Sequence, residues 1–124
     1  MAAARKVLGG RAWIGRTART AETARAAAHA GADYLGVGSV FGSGSKPEVP
    51  VIGLAGLASV AQASPLPVIA IGGITAERAA ACMAAGATGI AVIGALFAGA
   101  PAAKVVRARA QALRDAIEEG AQAR

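Results

Sequence analysis

At 124 residues the chain has room for one core, and its 55% hydrophobic content with only 3% aromatics suits alanine-rich helices packed on an aliphatic sheet. Its net charge of +6 raises nucleic acid as a partner, but the arginines are scattered and stacking rings nearly absent, which argues against a single-strand platform. One cysteine, Cys82, excludes an intrachain disulfide and any multi-cysteine metal site.

Residues 2–8 read as a helix stopped by Gly9-Gly10. Residues 12–15 read as a short first strand. Thr20 is an N-cap, Glu22 suits the positive end of the helix dipole, and Gly31 ends that helix. Residues 33–38 are the second strand. A polar glycine- and serine-rich loop covers about 39–50, and a helix about 53–62. The third strand is 67–71. Thr75 caps a helix ending at Gly86, 88–93 form the fourth strand, and 94–98 make a short turn. Pro101 opens a last helix running to about Glu119. Cys82 lies mid-helix, in Ala80-Ala81-Cys82-Met83, and reads as core, and His29 reads as a surface residue.

The strands are continuously apolar, the pattern of a parallel sheet buried on both faces. Strict alternation with helices predicts an α/β fold of parallel (β/α) units of a TIM barrel: about four units, a half-barrel, in one partial domain over 1–124. An internal repeat supports this. Thr20 to Gly31 matches Thr75 to Gly86, and Ala30-Gly31-Ala32-Asp33-Tyr34-Leu35-Gly36-Val37 matches Ala85-Gly86-Ala87-Thr88-Gly89-Ile90-Ala91-Val92, at an offset of 55 residues. Short alanine-rich units resembling one another by composition alone are the plainer alternative. Four strands would leave two open edges, so the expectation is either that the chain is half of a longer protein or that a second copy or a complementary half-barrel closes the ring. The longest uncharged stretch, 79–103, is broken by glycines and Pro101 into strand-sized pieces, so no transmembrane span is predicted. Val7-Leu8 is too short for a signal core, and a cytoplasmic location is the expectation.

Barrel ligands meet the C-terminal ends of strands. There Gly72-Gly73 precedes a helix start, where bare backbone N–H groups and the helix dipole suit a phosphate. A tight turn needing positive φ explains the same glycines without a ligand. Ile93-Gly94 ends the adjacent strand. The loop at 38–47 carries Ser39, Ser43, Ser45 and Lys46, hydroxyls and a cation suited to phosphate oxygens, though a flexible connection has the same composition. Thr17, with Arg16 and Arg19 nearby, follows the first strand. No carboxylate cluster sits at this end, so no metal ligands are assigned.

Taken together, Gly31-Ala32-Asp33-Tyr34-Leu35-Gly36-Val37-Gly38, Val40-Phe41, Ser43-x-Ser45-Lys46-Pro47, Gly53-Leu54-x-Gly56-Leu57, Ala70-Ile71-Gly72-Gly73-Ile74-Thr75 and Gly89-Ile90-Ala91-Val92-Ile93 resemble the C-terminal half of the thiamine-phosphate synthase family, from the helix before the fifth barrel strand through strands 5 to 8. The resemblance implies a transferase of thiamine biosynthesis. It joins hydroxymethylpyrimidine diphosphate to thiazole phosphate and releases diphosphate, with magnesium neutralising the charge. By motif position, Thr17 stands for a serine near the diphosphate, Ser43 and Ser45 for two threonines, and Lys46 for the catalytic lysine. Gly73 matches the glycine holding the thiazole phosphate, Ile93 the aliphatic residue beside it, and Gly94 replaces a serine. Ser39 and Gly42 replace prolines. The family's pyrimidine-binding residues and magnesium-binding aspartates have no counterparts here, which implies weak phosphate binding and poor catalysis by this chain alone. The related thiazole tautomerase, which has a histidine where Ser39 stands, and a non-catalytic phosphate-binding half-barrel that pairs with another chain are the alternatives.

Overall fold

The computed structural model describes residues 1–42 and 48–123. Helix α1 (Ala2–Leu8) leads into strand β1 (Gly15–Ala18), then α2 (Ala21–His29), β2 (Tyr34–Val37), α3 (Gly53–Ala63), β3 (Val68–Ile71), α4 (Ala76–Ala84), β4 (Gly89–Ala91), the single turn α5 (Gly94–Phe97) and α6 (Ala103–Gln122). The strands form one sheet in the order β1-β2-β3-β4, every neighbouring pair parallel. This is the predicted α/β arrangement of four βα units.

The expectation of a sheet buried on both faces is overturned. β2 and β3 alternate, with Leu35, Val37, Val68 and Ala70 buried and Tyr34, Gly36 and Ile69 only partly so. Helices cover one face alone. Leu57 and Val60 of α3, Ala24 and Ala27 of α2, and Ala79, Cys82 and Met83 of α4 pack there with the buried strand residues, and α6 adds Leu113. Deleting a leucine from such a layer costs about 2–5 kcal/mol. On the other face the aligned row Thr17, Gly36, Ile69 and Gly89 lies beneath no helix. Uninterrupted apolar sequence therefore hides an alternation: on the uncovered face Thr17, Gly36 and Gly89 alternate with the buried positions, and Tyr34, Ile69 and Ile71 there stay partly or largely exposed.

The first strand is also displaced, from 12–15 to Gly15–Ala18. The apolar run that suggests a strand ends outside the ladder: Trp13 is 75% exposed, and Ile14 instead exchanges bonds with Asp33, its N–H donating to Oδ2 at 2.8 Å and its carbonyl accepting the Asp33 N–H at 2.7 Å. The ladder runs on through Arg16 and Thr17, tolerated because an edge strand buries only Ala18. Thr17 thus stands in β1 rather than after it. The fourth strand contracts to Gly89–Ala91, leaving Ile93 as the N-cap residue of α5. Among the described residues no helix is long and apolar enough to cross a membrane.

Candidate functional site

The C-terminal ends of the strands surround an open cavity of about 830 Å³. Its lining brings together Thr17, Gly73, Ile93 and Gly94, four of the residues singled out from sequence. Ser43, Ser45 and Lys46 lie outside the described residues. Gly42 and Val49, on either side of that segment in the chain, both line the cavity.

The glycine pair is built into its surroundings. β3 ends at Ile71, and the chain turns through Gly72 at φ 106° and Gly73 at φ 66° before Thr75 caps α4. Gly73 is required twice over. Its φ lies where only glycine is comfortable, and a side chain there would run into the Gly42 carbonyl oxygen and come within 3.1 Å of Phe41 Cβ. The segment above is tied down by backbone bonds: Val40 N–H donates to the Ile71 carbonyl and Phe41 N–H to the Gly72 carbonyl, each at 3.0 Å. Ser39, 5% exposed, accepts the Gly42 N–H on its Oγ at 3.0 Å, so its hydroxyl shapes the loop that carries Phe41 and Gly42.

The β4 end contrasts with this. Ile93 is 71% exposed, and a Cβ added at Gly94 would meet nothing within 4 Å. That wall is apolar and open, with space for a ligand ring against Ile93.

Two arginines, Arg19 and Arg78, join the lining, and no carboxylate does among the described residues. The sequence points to Arg19 beside Thr17 but not to Arg78, which follows Gly73 by five residues in the first turn of α4. A cation there opposes the helix dipole, and that anomaly is the signal that would have found it. Its Nη1 donates to the Gly73 carbonyl at 2.8 Å, and its guanidinium lies 4.8 Å from the centroid of the Phe41 ring. Glu77 turns back to the helix start: its own N–H and then the Thr75 hydroxyl, both donating to it, hold its carboxyl below the usual range. Thr75 accordingly makes no side-chain cap bond to the α4 backbone.

The residues present do not fit a magnesium centre. Among those described, no group of three His, Cys, Asp or Glu could hold a metal ion, and the cavity offers no carboxylate oxygen. Cys82 is buried, and desolvation pushes its thiol up, consistent with packing rather than reactivity.

The family model described as thiamine monophosphate synthase matches residues 1–96. A thiamine-phosphate synthase of Salinispora arenicola is 54% identical over 112 residues, which is 90% of this chain and 54% of that protein. One of Haloarcula marismortui is 48% identical over 122 residues, 94% of this chain and 56% of that protein. Among solved structures, the thiamine phosphate pyrophosphorylase from Pyrococcus furiosus superposes with a TM-score of 0.80 at 37% identity, covering 95% of this chain and 54% of the other. The chain thus spans about half the length of the curated relatives it matches.

Proposed function

The chain belongs to the thiamine monophosphate synthase family, and we propose that its cavity seats the phosphate of a thiazole phosphate for coupling to hydroxymethylpyrimidine diphosphate. One observation carries the reading: Thr17, Gly73, Ile93 and Gly94 converge on a single cavity lined by two arginines and, among the described residues, no carboxylate. A dianion seated over Gly73 meets backbone at close range and the start of α4 beneath it. Ile93 gives the thiazole ring an apolar wall. Thr17, on the β1 side of the cavity, faces the position left for the diphosphate; by motif the family's other donors correspond to Ser43, Ser45 and Lys46, which lie outside the described residues.

In this scheme the chain's work is electrostatic and positional. It holds the thiazole nitrogen toward the pyrimidine methylene carbon as the carbon–oxygen bond to diphosphate breaks, and it supplies donors to the departing oxygens. Magnesium would screen the diphosphate. The described residues supply no cluster of ligands for it. The uncovered sheet face, and edge strands β1 and β4 with one neighbour each, support a working state in which a second copy or a complementary half-barrel adds the rest of the site.

Calorimetric titration with thiazole phosphate and with the unphosphorylated thiazole alcohol tests the reading. Binding of the phosphate and not of the alcohol is expected, and equal affinity for both overturns it. Size-exclusion chromatography, and an assay of thiamine phosphate with and without a complementary half, then report the working assembly.

A further inference from the structure

We infer that Arg78 is a phosphate-selecting residue of this cavity, acting both as a direct guanidinium ligand and as the brace that keeps Gly73 in place. The inference rests on the thiazole-phosphate reading above and assigns a further side chain within it. Three independent facts carry it. Arg78 lines the same cavity as Gly73 and Gly94. Its orientation is set in advance, by donation from Nη1 to the Gly73 carbonyl at 2.8 Å and by the face of Phe41 at 4.8 Å. And only one of its five N–H donors is taken by the bonds found among the described residues.

A guanidinium fixed in this way loses little freedom when it binds, and its planar fork matches two oxygens of a phosphate monoester. The brace acts through the backbone. Holding the Gly73 carbonyl toward α4 fixes the peptide plane that joins Gly73 to Ile74, and with it the turn over which the anion sits. Phe41 links the same guanidinium to the loop whose Gly42 carbonyl abuts Gly73. The β4 side offers no comparable group: Gly94 has no side chain, and a Cβ added there would meet nothing within 4 Å. Within the described lining, Arg78 on α4 and Arg19 beyond β1 are the cations that can tell a phosphomonoester from its alcohol, and Arg78 is bonded to Gly73. A neighbouring counter-charge, the Glu77 carboxylate, accepts from its own N–H and from Thr75.

The test is calorimetry on R78A, R78K and wild type with thiazole phosphate, with inorganic phosphate and with the thiazole alcohol, each variant's melting curve being recorded alongside. Loss of a charge-assisted ligand predicts a roughly 10- to 100-fold weaker affinity of R78A for both phosphates and no change in the response to the alcohol. R78K, which keeps the charge but not the fork, is expected to recover only part. Equal phosphate affinity in wild type and R78A overturns the inference while leaving the thiazole-phosphate reading in place. A wild type that does not prefer phosphate to alcohol overturns both. Should R78A fail to fold, R78K decides: full phosphate affinity there refutes the fork.

Discussion

The unit β1-α2-β2 and the unit β3-α4-β4 end their helices alike and begin them differently. At the C-terminal ends, Ala30 (φ −76°, ψ −6°) and Ala85 (φ −73°, ψ −9°) superpose in conformation, followed by Gly31 at φ 98° and Gly86 at φ 116°. Ala32 N–H returns to the Ala27 carbonyl at 3.1 Å and Ala87 N–H to the Cys82 carbonyl at 3.2 Å. At the N-terminal ends the copies part. Thr20 caps α2 in a reciprocal box with Thr23, whereas Thr75 makes no side-chain cap bond to α4. The ladders locate the cause. Gly36 and Ala91 are 55 residues apart, but their β-partners, Thr17 and Ile71, are 54 apart. The second unit carries one extra residue between strand and helix, in the turn that holds Gly72-Gly73. The first unit closes its helix start on itself, while the second leaves its start facing the cavity.

Substitutions at these starts should separate the copies. The largest effect is expected at Gly73, whose place the shorter first turn does not contain. Gly73→Val should abolish phosphate binding by titration and lower stability by roughly 1–3 kcal/mol from the forced positive φ, before any displacement of Gly42 is counted. Binding that survives this change would remove the turn from the site.

Next come the threonines. Thr20→Ala deletes the half of the capping box in which Thr20 Oγ1 accepts the Thr23 N–H, leaving the backbone half on Thr23 Oγ1, and should cost about 1 kcal/mol in urea denaturation. Thr75→Ala should cost clearly less, because no backbone cap bond is lost. Equal costs would erase the distinction between a self-capped start and an open one.

Smaller still is the effect of adding a hydroxyl on the β4 side. Gly94→Ser enters empty space, so stability should not change, and phosphate affinity should rise by roughly 2- to 10-fold, the worth of one added hydrogen bond. A drop in affinity would mean that the ligand fills the space over Gly94.

These contrasts also show what sequence carries and what it does not. Helix starts at Thr20 and Thr75 and stops at Gly31 and Gly86 are legible because each rests on a local backbone requirement. The glycine pair is legible for the same reason. The first strand is misplaced because edge pairing selects Arg16 and Thr17 through backbone bonds that leave no apolar trace. The uncovered sheet face is hidden because Tyr34, Ile69 and Ile71 keep β2 and β3 apolar on that side as well. Arg78 escapes because its partner Phe41 lies 37 residues away in the chain, across a loop. The slip of one residue in the repeat is invisible until β-partners fix the register.

The slightest expected difference is one of acid response, at the positions that open β2 and β4. Asp33 and Thr88 do the same job: Asp33 Oδ2 accepts the Ile14 N–H at 2.8 Å, and Thr88 Oγ1 the Val68 N–H at 3.4 Å. Only Asp33 titrates, and it also holds Arg5 of α1 at 2.7 Å. The Arg5 guanidinium hydrogen bond, then the Ile14 N–H, keep its carboxyl below the ordinary 3.8. In the window beneath that value the unfolded chain binds more protons than the folded one, so stability rises with pH there. The contribution is whole above the ordinary value and is lost as pH falls through the folded one. Amide chemical shifts should therefore show the Ile14 N–H responding to acid while the Val68 N–H stays still. Glu77, also held low, acts at the first turn of α4, away from Val68. Asp33→Asn should flatten the Ile14 titration and loosen α1 at neutral pH. An unchanged Ile14 titration in that variant would assign the acid response to another group and make the two positions equivalent.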